Sequence, residues 1–319
     1  MVRLASAVIL LSFASDSFAQ SAEEIRGQEI LQAAVDSWRT LQNRSATVAL
    51  DWEGESTVLK HSRRDLEGNP IPAADHLFAH SVKYEIDFKG RRLRRETSRE
   101  LFDLSEKTFR REWLIDLYDG NTFQQFLPPL NESSSVSNSR NGPTGKLIQR
   151  GKTRTAAFIR AIDTPLFWSH GLLPIEDVEP ETLTTKPTPK QFVYEGEQLL
   201  DGERVHVVRY ANSDQVGRYE KYWLSEENAW LPVRRSRYWQ GNETSRLTVE
   251  YATDKQGHPL PKQWKLVTFD TGRPNEQRVT GIDSCRIKTY ETDVEWNDRM
   301  FHVEPLPGMV VKDLGKESK

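Results

Sequence analysis

Apolar and polar residues alternate along most of this 319-residue chain, and this period of two restricts the fold more than any other feature. In the stretch VKYEIDFK (residues 82–89) every second residue is apolar, and the residues between them are charged. A β-strand places successive side chains on opposite faces, so the pattern predicts antiparallel strands with one buried face and one solvent face. Parallel strands that are buried on both faces would be apolar throughout.

The stretch FRREWLIDLYDGNTFQQF (residues 109–126) has the pattern of a strand, a tight turn and a second strand. Trp113, Ile115 and Leu117 fall on one face, with charged residues between them. The Asp-Gly pair at 119–120 predicts a two-residue turn, because glycine accepts the positive φ that such a turn requires. A lone hairpin is barely stable in water, so its apolar face must cover a core, a second sheet or a ligand.

Turn signals separate further alternating stretches in the second half of the chain. They include Asp201-Gly202, Gly241-Asn242 and the segment TDKQG at 253–257. We count roughly eleven to thirteen strands joined by sequential hairpins, which is a meander. The predicted fold class is mainly β (α+β), with one large curved antiparallel sheet that coils into a half-open barrel, since a flat sheet of this size is unfavourable.

Two segments do not follow the strand pattern, and we expect them to cover the concave face of the sheet. Residues 21–42 predict an amphipathic helix, with Ser21 and Glu24 as a capping box. Its apolar face repeats at helical spacing and consists of Gly27, Leu31, Ala34, Trp38 and Leu41. Residues 128–190 form a polar, Ser-rich and Pro-rich insertion with a short apolar helix near Ala157 and Ile162.

The first nineteen residues have the layout of a secretory signal peptide. A basic residue precedes a short apolar run, and small residues around Ala19 predict cleavage there. The apolar run is about half of the ~20 residues that a membrane helix needs. We therefore predict a soluble protein exported to the periplasm or the extracellular space, with residues 1–19 as the signal and residues 20–319 as one domain.

Charge and cysteine content exclude further classes. The formal net charge is −3, from 44 basic and 47 acidic residues, whereas a nucleic-acid-binding protein needs a clear basic excess. A single cysteine, Cys285, excludes an internal disulfide, so stability must come from a packed core. Cys285 lies in a strand-like run, which predicts a buried and inert thiol.

The order of these elements resembles the LolA/LolB-like periplasmic lipoprotein carriers, a fold that the RseB-type sensors share. The resemblance depends on the signal peptide, the first helix, the helical insertion and the segments YDGNTF (118–123), YEGEQLLDGERVHVVRY (194–210), YEKYWLSEENAWLPVR (219–234), VEYATDKQGHPLPKQW (249–264) and FHVEPLPGMVVKDL (301–314). It implies that an acyl chain or another apolar ligand is held between the sheet and its helices. This chain is longer, with a larger insertion, and lacks the lipid-anchor cysteine of the receptor branch, so no individual binding residue carries over.

Motifs for catalysis or metal binding are weak. His76 and His80 are four residues apart beside Asp75, which on a helix allows a shared metal; an exposed helical turn is the simpler interpretation, because no third ligand stands nearby. The neighbours Ser169 and His170 do not make a triad, which is assembled in space. We predict no catalytic, metal-binding or cofactor-binding residue. A cluster of His, Asp and Ser at the floor of a cavity would instead favour a hydrolase.

Aromatic residues are the stronger signal. Those on predicted apolar faces or in the insertion are candidates to line a ligand cavity, although core packing explains each of them singly. They are Trp38, Tyr84, Phe88, Trp113, Phe123, Phe158, Trp168, Trp223 and Trp264. The predicted function is a monomeric carrier that shields a lipid, an acyl chain or an acylated peptide. The alternative is an envelope sensor or protein-interaction domain whose core is filled by its own side chains.

Overall fold

The computed structural model of the chain describes residues 22–65, 67–103, 107–128, 145–150, 160–175, 178, 183–210, 217–270 and 278–313. The helices are α1 (Ala22–Leu41) and α2 (Thr164–Trp168). The strands are β1 (Thr47–Val58), β2 (Arg63–Arg64), β3 (Pro70–Ile71), β4 (His76–Asp87), β5 (Arg92–Asp103), β6 (Thr108–Tyr118), β7 (Phe123–Leu127), β8 (Lys146–Arg150), β9 (Phe192–Leu200), β10 (Glu203–Tyr210), β11 (Arg218–Ser225), β12 (Leu231–Trp239), β13 (Asn242–Thr253), β14 (Pro259–Phe269), β15 (Val279–Thr292) and β16 (Val310–Asp313). The predicted signal peptide lies outside the described residues. Neither described helix combines the length and the apolar character that a membrane crossing requires.

Fourteen of these strands form one open sheet in the order β16-β8-β7-β6-β5-β4-β1-β15-β14-β13-β12-β11-β10-β9. The predicted mainly β fold with a sheet that is not closed into a barrel is confirmed. The predicted single meander is wrong, because the first strand lies in the middle of the sheet. Strand β1 pairs with β4 on one side and with β15 on the other, so two meanders share a central seam. Strand β16 runs parallel to β8 and is the exception to the antiparallel pattern.

We name the face of the sheet that α1 and α2 cover the inner face, and the opposite one the outer face. The predicted apolar face of α1 is confirmed, since Leu31, Ala34, Trp38 and Leu41 are all buried. The Trp38 indole packs edge-on against Phe192, with 5.4 Å between ring centroids. Burial of this face stabilises a helix whose intrinsic propensity alone would leave it marginal in water.

The predicted insertion at 128–190 contains β8, and the described residues around α2 lie on the inner face. Strand β8 lies next to one edge of the sheet and β9 forms the other edge, so α2 is on the path between opposite sides of the sheet. All five residues of α2 are buried. Its Phe167 packs edge-on against Tyr84 of β4, and Trp168 packs against Tyr222 of β11. The insertion therefore supplies part of the core.

In the hairpin at 109–126 the polar positions of β6 lie on the inner face. The outer face carries Trp113, Ile115 and Leu117, contrary to the prediction that they cover a core under the helices. Asp116 pairs across the sheet with Arg95, which pairs with Tyr84 under α2. Residues at odd positions of β6 therefore face outward. The turn is also longer than predicted: Tyr118 pairs with Phe123, and the Asp119 carboxylate accepts hydrogen bonds from the backbone at 121 and 122.

The C-terminal segment covers part of the outer face. Phe301 is 1% exposed, and the Arg92 guanidinium lies 4.9 Å from the centroid of its ring. Gln124 of β7 exchanges hydrogen bonds with the backbone of Val303, at 3.1 and 2.8 Å. Phe301 and Val303 thus pack on the outer face, and β16 covers the edge of β8.

A candidate ligand cavity on the inner face

A cavity of about 360 Å³ lies on the inner face where β4 and β5 separate. Pairing between these strands runs only from Ser81–Ser98 to Asp87–Arg92, so the start of β4 and the end of β5 diverge. Strands β1 and β15 form the floor, and the residues just before α2 form a wall. The apolar part of the lining consists of Trp52, Val58, Phe78, Val82, Leu101, Phe109 and Ile162.

Three strands bring a chain of four polar side chains to the cavity floor. Ser56 Oγ lies 3.0 Å from His80 Nδ1 and is also hydrogen-bonded to the carboxylate of Asp283. On the other side of the ring, Cys285 Sγ lies 3.7 Å from His80 Nε2. Ser56 and Asp283 are direct cross-strand partners. The order of contacts is therefore Asp283, Ser56, His80 and Cys285.

Gly54 makes the approach of His80 and Cys285 possible. It is the cross-strand partner of both residues, and it has no side chain between them. A Cβ atom at Gly54 would lie 2.7 Å from His80 Nε2 and 2.9 Å from Cys285 Sγ. A glycine inside an alternating strand often marks such a close approach, so the stretch DWEGESTV contained a signal that the sequence interpretation missed.

The sequence placed His76 and His80 on an exposed helical turn, and this prediction is wrong. Both lie on strand β4, where residues four apart share a face. His76 binds Glu100 at 2.7 Å, whereas His80 is buried over Gly54. Across the described parts of the chain, no group of three His, Cys, Asp or Glu side chains is arranged to hold a metal ion.

The protonation states at the floor follow from burial. Burial, reinforced by the positive charges of Arg160 and Arg99, lowers the pKa of His80 to about 4. Burial raises the pKa of Asp283, and it raises the pKa of the Cys285 thiol far above its usual range. At neutral pH His80 is therefore neutral and Cys285 is a protonated thiol, in agreement with the prediction of a buried cysteine.

A second polar cluster holds the segment before α2 on the sheet. Arg95 forms a buried ion pair with Asp116 of β6, and its Nη1 lies 3.6 Å from Asp163 Oδ2. The Tyr84 hydroxyl donates to the same carboxylate at 2.8 Å. Burial raises the pKa of Asp163, and Arg95 opposes that shift. Asp163 is thereby fixed at the cavity wall by partners from two strands.

Several polar atoms at the cavity have no hydrogen-bond partner within the described residues. They are Thr97 Oγ1, Asp163 Oδ1 and Ser62 Oγ. Buried polar groups in folded proteins are nearly always hydrogen-bonded. The cavity thus presents donors and acceptors, beside its apolar lining, to a molecule that enters it.

None of the eight predicted aromatic candidates that lie within the described residues lines this cavity. Trp38, Tyr84, Phe123, Trp168 and Trp264 are buried in the main core, and Phe88 packs against it. Trp223 is buried in a separate cluster with Val205 and Val207, and its cross-strand partner is Val207 rather than an inner-face residue. Trp113 is 49% exposed on the outer face. The expectation is corrected for Trp113 and Trp223; Phe158 lies outside the described residues.

No protein-family model and no curated protein sequence matches the chain. Among solved structures, it is similar to a putative outer membrane lipoprotein-sorting protein domain from Vibrio parahaemolyticus, at 12% identity and a TM-score of 0.43, over 87% of this chain and 96% of that one. A DUF1329 family protein from Desulfovibrio piger matches at 11% identity and a TM-score of 0.42, covering 85% and 97%. A LolA superfamily protein from Nitrosomonas europaea matches at 10% identity and a TM-score of 0.40, covering 87% and 97%.

Proposed function

We propose that this chain is an exported binding protein that shields a lipid or acyl chain in the inner-face cavity. The observation that carries the proposal is the cavity itself, because its volume of about 360 Å³ and its apolar wall suit part of a small amphiphile. Burial of an acyl chain there would contribute about 0.8 kcal/mol for each CH₂ group. The ligand would enter at the end where β4 and β5 diverge.

Native mass spectrometry of the purified protein, followed by solvent extraction, tests whether a lipid or acylated peptide copurifies. Uptake of a fluorescent fatty acid then measures affinity. Val58 lies at the cavity and is 8% exposed, so Val58→Phe would occupy part of the space. Displacing about two CH₂ groups from the cavity should weaken binding about tenfold.

The matched control is Val193→Phe, the same substitution at a residue of β9 that is 49% exposed. We expect this variant to bind the fatty acid as the unmodified protein does. An empty protein that takes up no fatty acid would overturn the carrier proposal. The fold would then serve as a scaffold for a protein partner in the envelope.

A hydrolase is the second candidate, and the 3.0 Å contact between Ser56 and His80 favours it. The connectivity differs from a catalytic triad, in which the carboxylate binds the second imidazole nitrogen and orients the ring. Here Asp283 binds the serine, and the second nitrogen faces Cys285. The contacts therefore favour a polar chain that holds the floor together.

We expect no covalent labelling of Ser56 by a fluorophosphonate probe. Intact-mass measurement after incubation checks this, with Ser56→Ala as the control for labelling elsewhere. An adduct on the unmodified protein that is missing from Ser56→Ala would support the hydrolase over the carrier.

A further inference from the structure

The arginines around the cavity differ in how far their charges are compensated. Arg95 is held by Asp116 and Asp163, and Arg99 lies 3.3 Å from the carboxylate of Glu112. Arg160 lines the cavity, and its guanidinium makes no ion pair or hydrogen bond within the described residues; its backbone carbonyl accepts a hydrogen bond from the Asp163 N–H at 2.9 Å. Arg63 also lines the cavity, but it is exposed to solvent. Arg160 is the partly buried arginine at this site whose guanidinium remains available to a ligand.

Positive neighbours of Arg160 outweigh its negative ones in their effect on its pKa. Burial, together with repulsion by Arg95 and Arg99, lowers the pKa of Arg160 to about 10, and the attraction of Asp163 does not compensate. Arg95 and Tyr84 both contact Oδ2 of Asp163, and its Oδ1 has no hydrogen-bond partner among the described residues. A buried cation is costly unless an anion with good geometry neutralises it.

The other acidic groups at the cavity are engaged elsewhere. Glu100 binds His76 at 2.7 Å, and Asp283 is bonded by Ser56. Neither therefore neutralises Arg160. Thr97 Oγ1, which is buried and unpartnered among the described residues, adds a hydroxyl donor at the same cavity.

We infer that the cavity selects amphiphiles with an anionic head group, which Arg160 binds while the chain lies against Val58, Phe78 and Ile162. The inference rests on the proposed function and specifies its ligand. A guanidinium presents parallel N–H groups that match a carboxylate or a phosphate, so both head groups share the required chemistry. An uncharged alcohol of the same length would bury the same chain and leave Arg160 uncompensated.

The test compares four ligands of one chain length by isothermal titration calorimetry at neutral pH: a fatty acid, an alkyl phosphate, the alcohol and the methyl ester. We expect at least one anion to bind about tenfold more tightly than the alcohol, because a hydrogen bond between two charged groups is stronger than one that involves a neutral hydroxyl. The acid and phosphate arms identify which anion is preferred. Arg160→Met should weaken the anion about tenfold and leave the alcohol unchanged.

The matched control is Arg111→Met, because Arg111 is an exposed arginine outside this cavity that binds Ser98 on β5. Arg160→Lys keeps the positive charge but loses the parallel N–H groups of the guanidinium. Its affinity for the anion should lie between those of the unmodified protein and Arg160→Met. Equal binding of all four ligands by the unmodified protein would overturn the head-group inference and leave the proposed function standing. Binding of none of them would overturn the proposed function itself.

Discussion

Replacing Arg95 by methionine is expected to lower the free energy of unfolding by about 3–5 kcal/mol. Arg95 is 4% exposed and lies between the carboxylates of Asp116 and Asp163, which are also buried. Removing the guanidinium would leave both carboxylates without their shared cation in a region of low dielectric constant. The loss of an ion-pair partner there costs more than the pair itself contributes.

Urea unfolding followed by tryptophan fluorescence measures this effect. The control is Arg286→Met, which removes an ion pair with Glu53 from a side chain that is 71% exposed. Exposed pairs contribute about 0–1 kcal/mol, so this variant should unfold close to the unmodified protein. A loss below about 1 kcal/mol for Arg95→Met would show that the cluster does not anchor the segment before α2.

Acidification is expected to destabilise the fold between pH 6.5 and about 4, and two buried histidines are the main cause. Burial lowers the pKa of His80 from 6.5 to about 4, and burial lowers that of His170 from 6.5 to about 3. Above pH 6.5 the histidines are neutral in both the folded and the unfolded chain. Below pH 6.5 the unfolded chain binds protons at these histidines, whereas the folded chain does not. The free energy of unfolding therefore decreases as the pH is lowered.

The expected loss from His80 alone is roughly 3 kcal/mol, because each pKa unit corresponds to about 1.4 kcal/mol. The groups around His80 are Arg99, Arg160, Asp283 and Cys285. Asp283 opposes this loss of stability, because its raised pKa lets the folded chain bind a proton at a higher pH than the unfolded chain does.

Around His170 lie Arg44, Asp254, His258 and Tyr290, and the Tyr290 hydroxyl lies 3.0 Å from His170 Nε2. The lowered pKa of Asp254 adds to the acid loss below pH 4. The change in the free energy of unfolding between pH 6.5 and about 4 therefore comes mainly from the two histidines.

Urea unfolding at a series of pH values measures the slope, and His80→Gln and His170→Gln should each flatten it. His302→Gln is the control, because that side chain is 43% exposed. An unchanged slope in both buried-site variants would assign the acid loss to carboxylates instead.

Local pattern predicted most of the secondary structure. The period of two in residues 82–89 and the helical spacing in 21–42 correspond to β4 and α1. The Asp201-Gly202 turn also lies where it was predicted, with φ angles of 52° and 89°. These features depend on side-chain direction and backbone freedom within a few residues, which the sequence contains.

The candidate site was not predictable in the same way. Alternation indicates that the two faces of β6 differ, but not which face α2 covers, so Trp113 was assigned to the wrong side. Ser56, His80 and Asp283 are separated by 24 and 227 residues along the chain, counted from Ser56. No spacing rule connects residues so far apart.

The sequence by itself determined that this chain builds one-sided strands and an amphipathic helix, because those follow from the periodicity of its side chains. Only the tertiary structure decided that β1 joins β15, that α2 lies on the inner face, and that β4 and β5 diverge to leave a cavity beside Arg160. Those outcomes depend on long-range pairing, in which every strand edge competes for partners and buried charges find the geometry that compensates them.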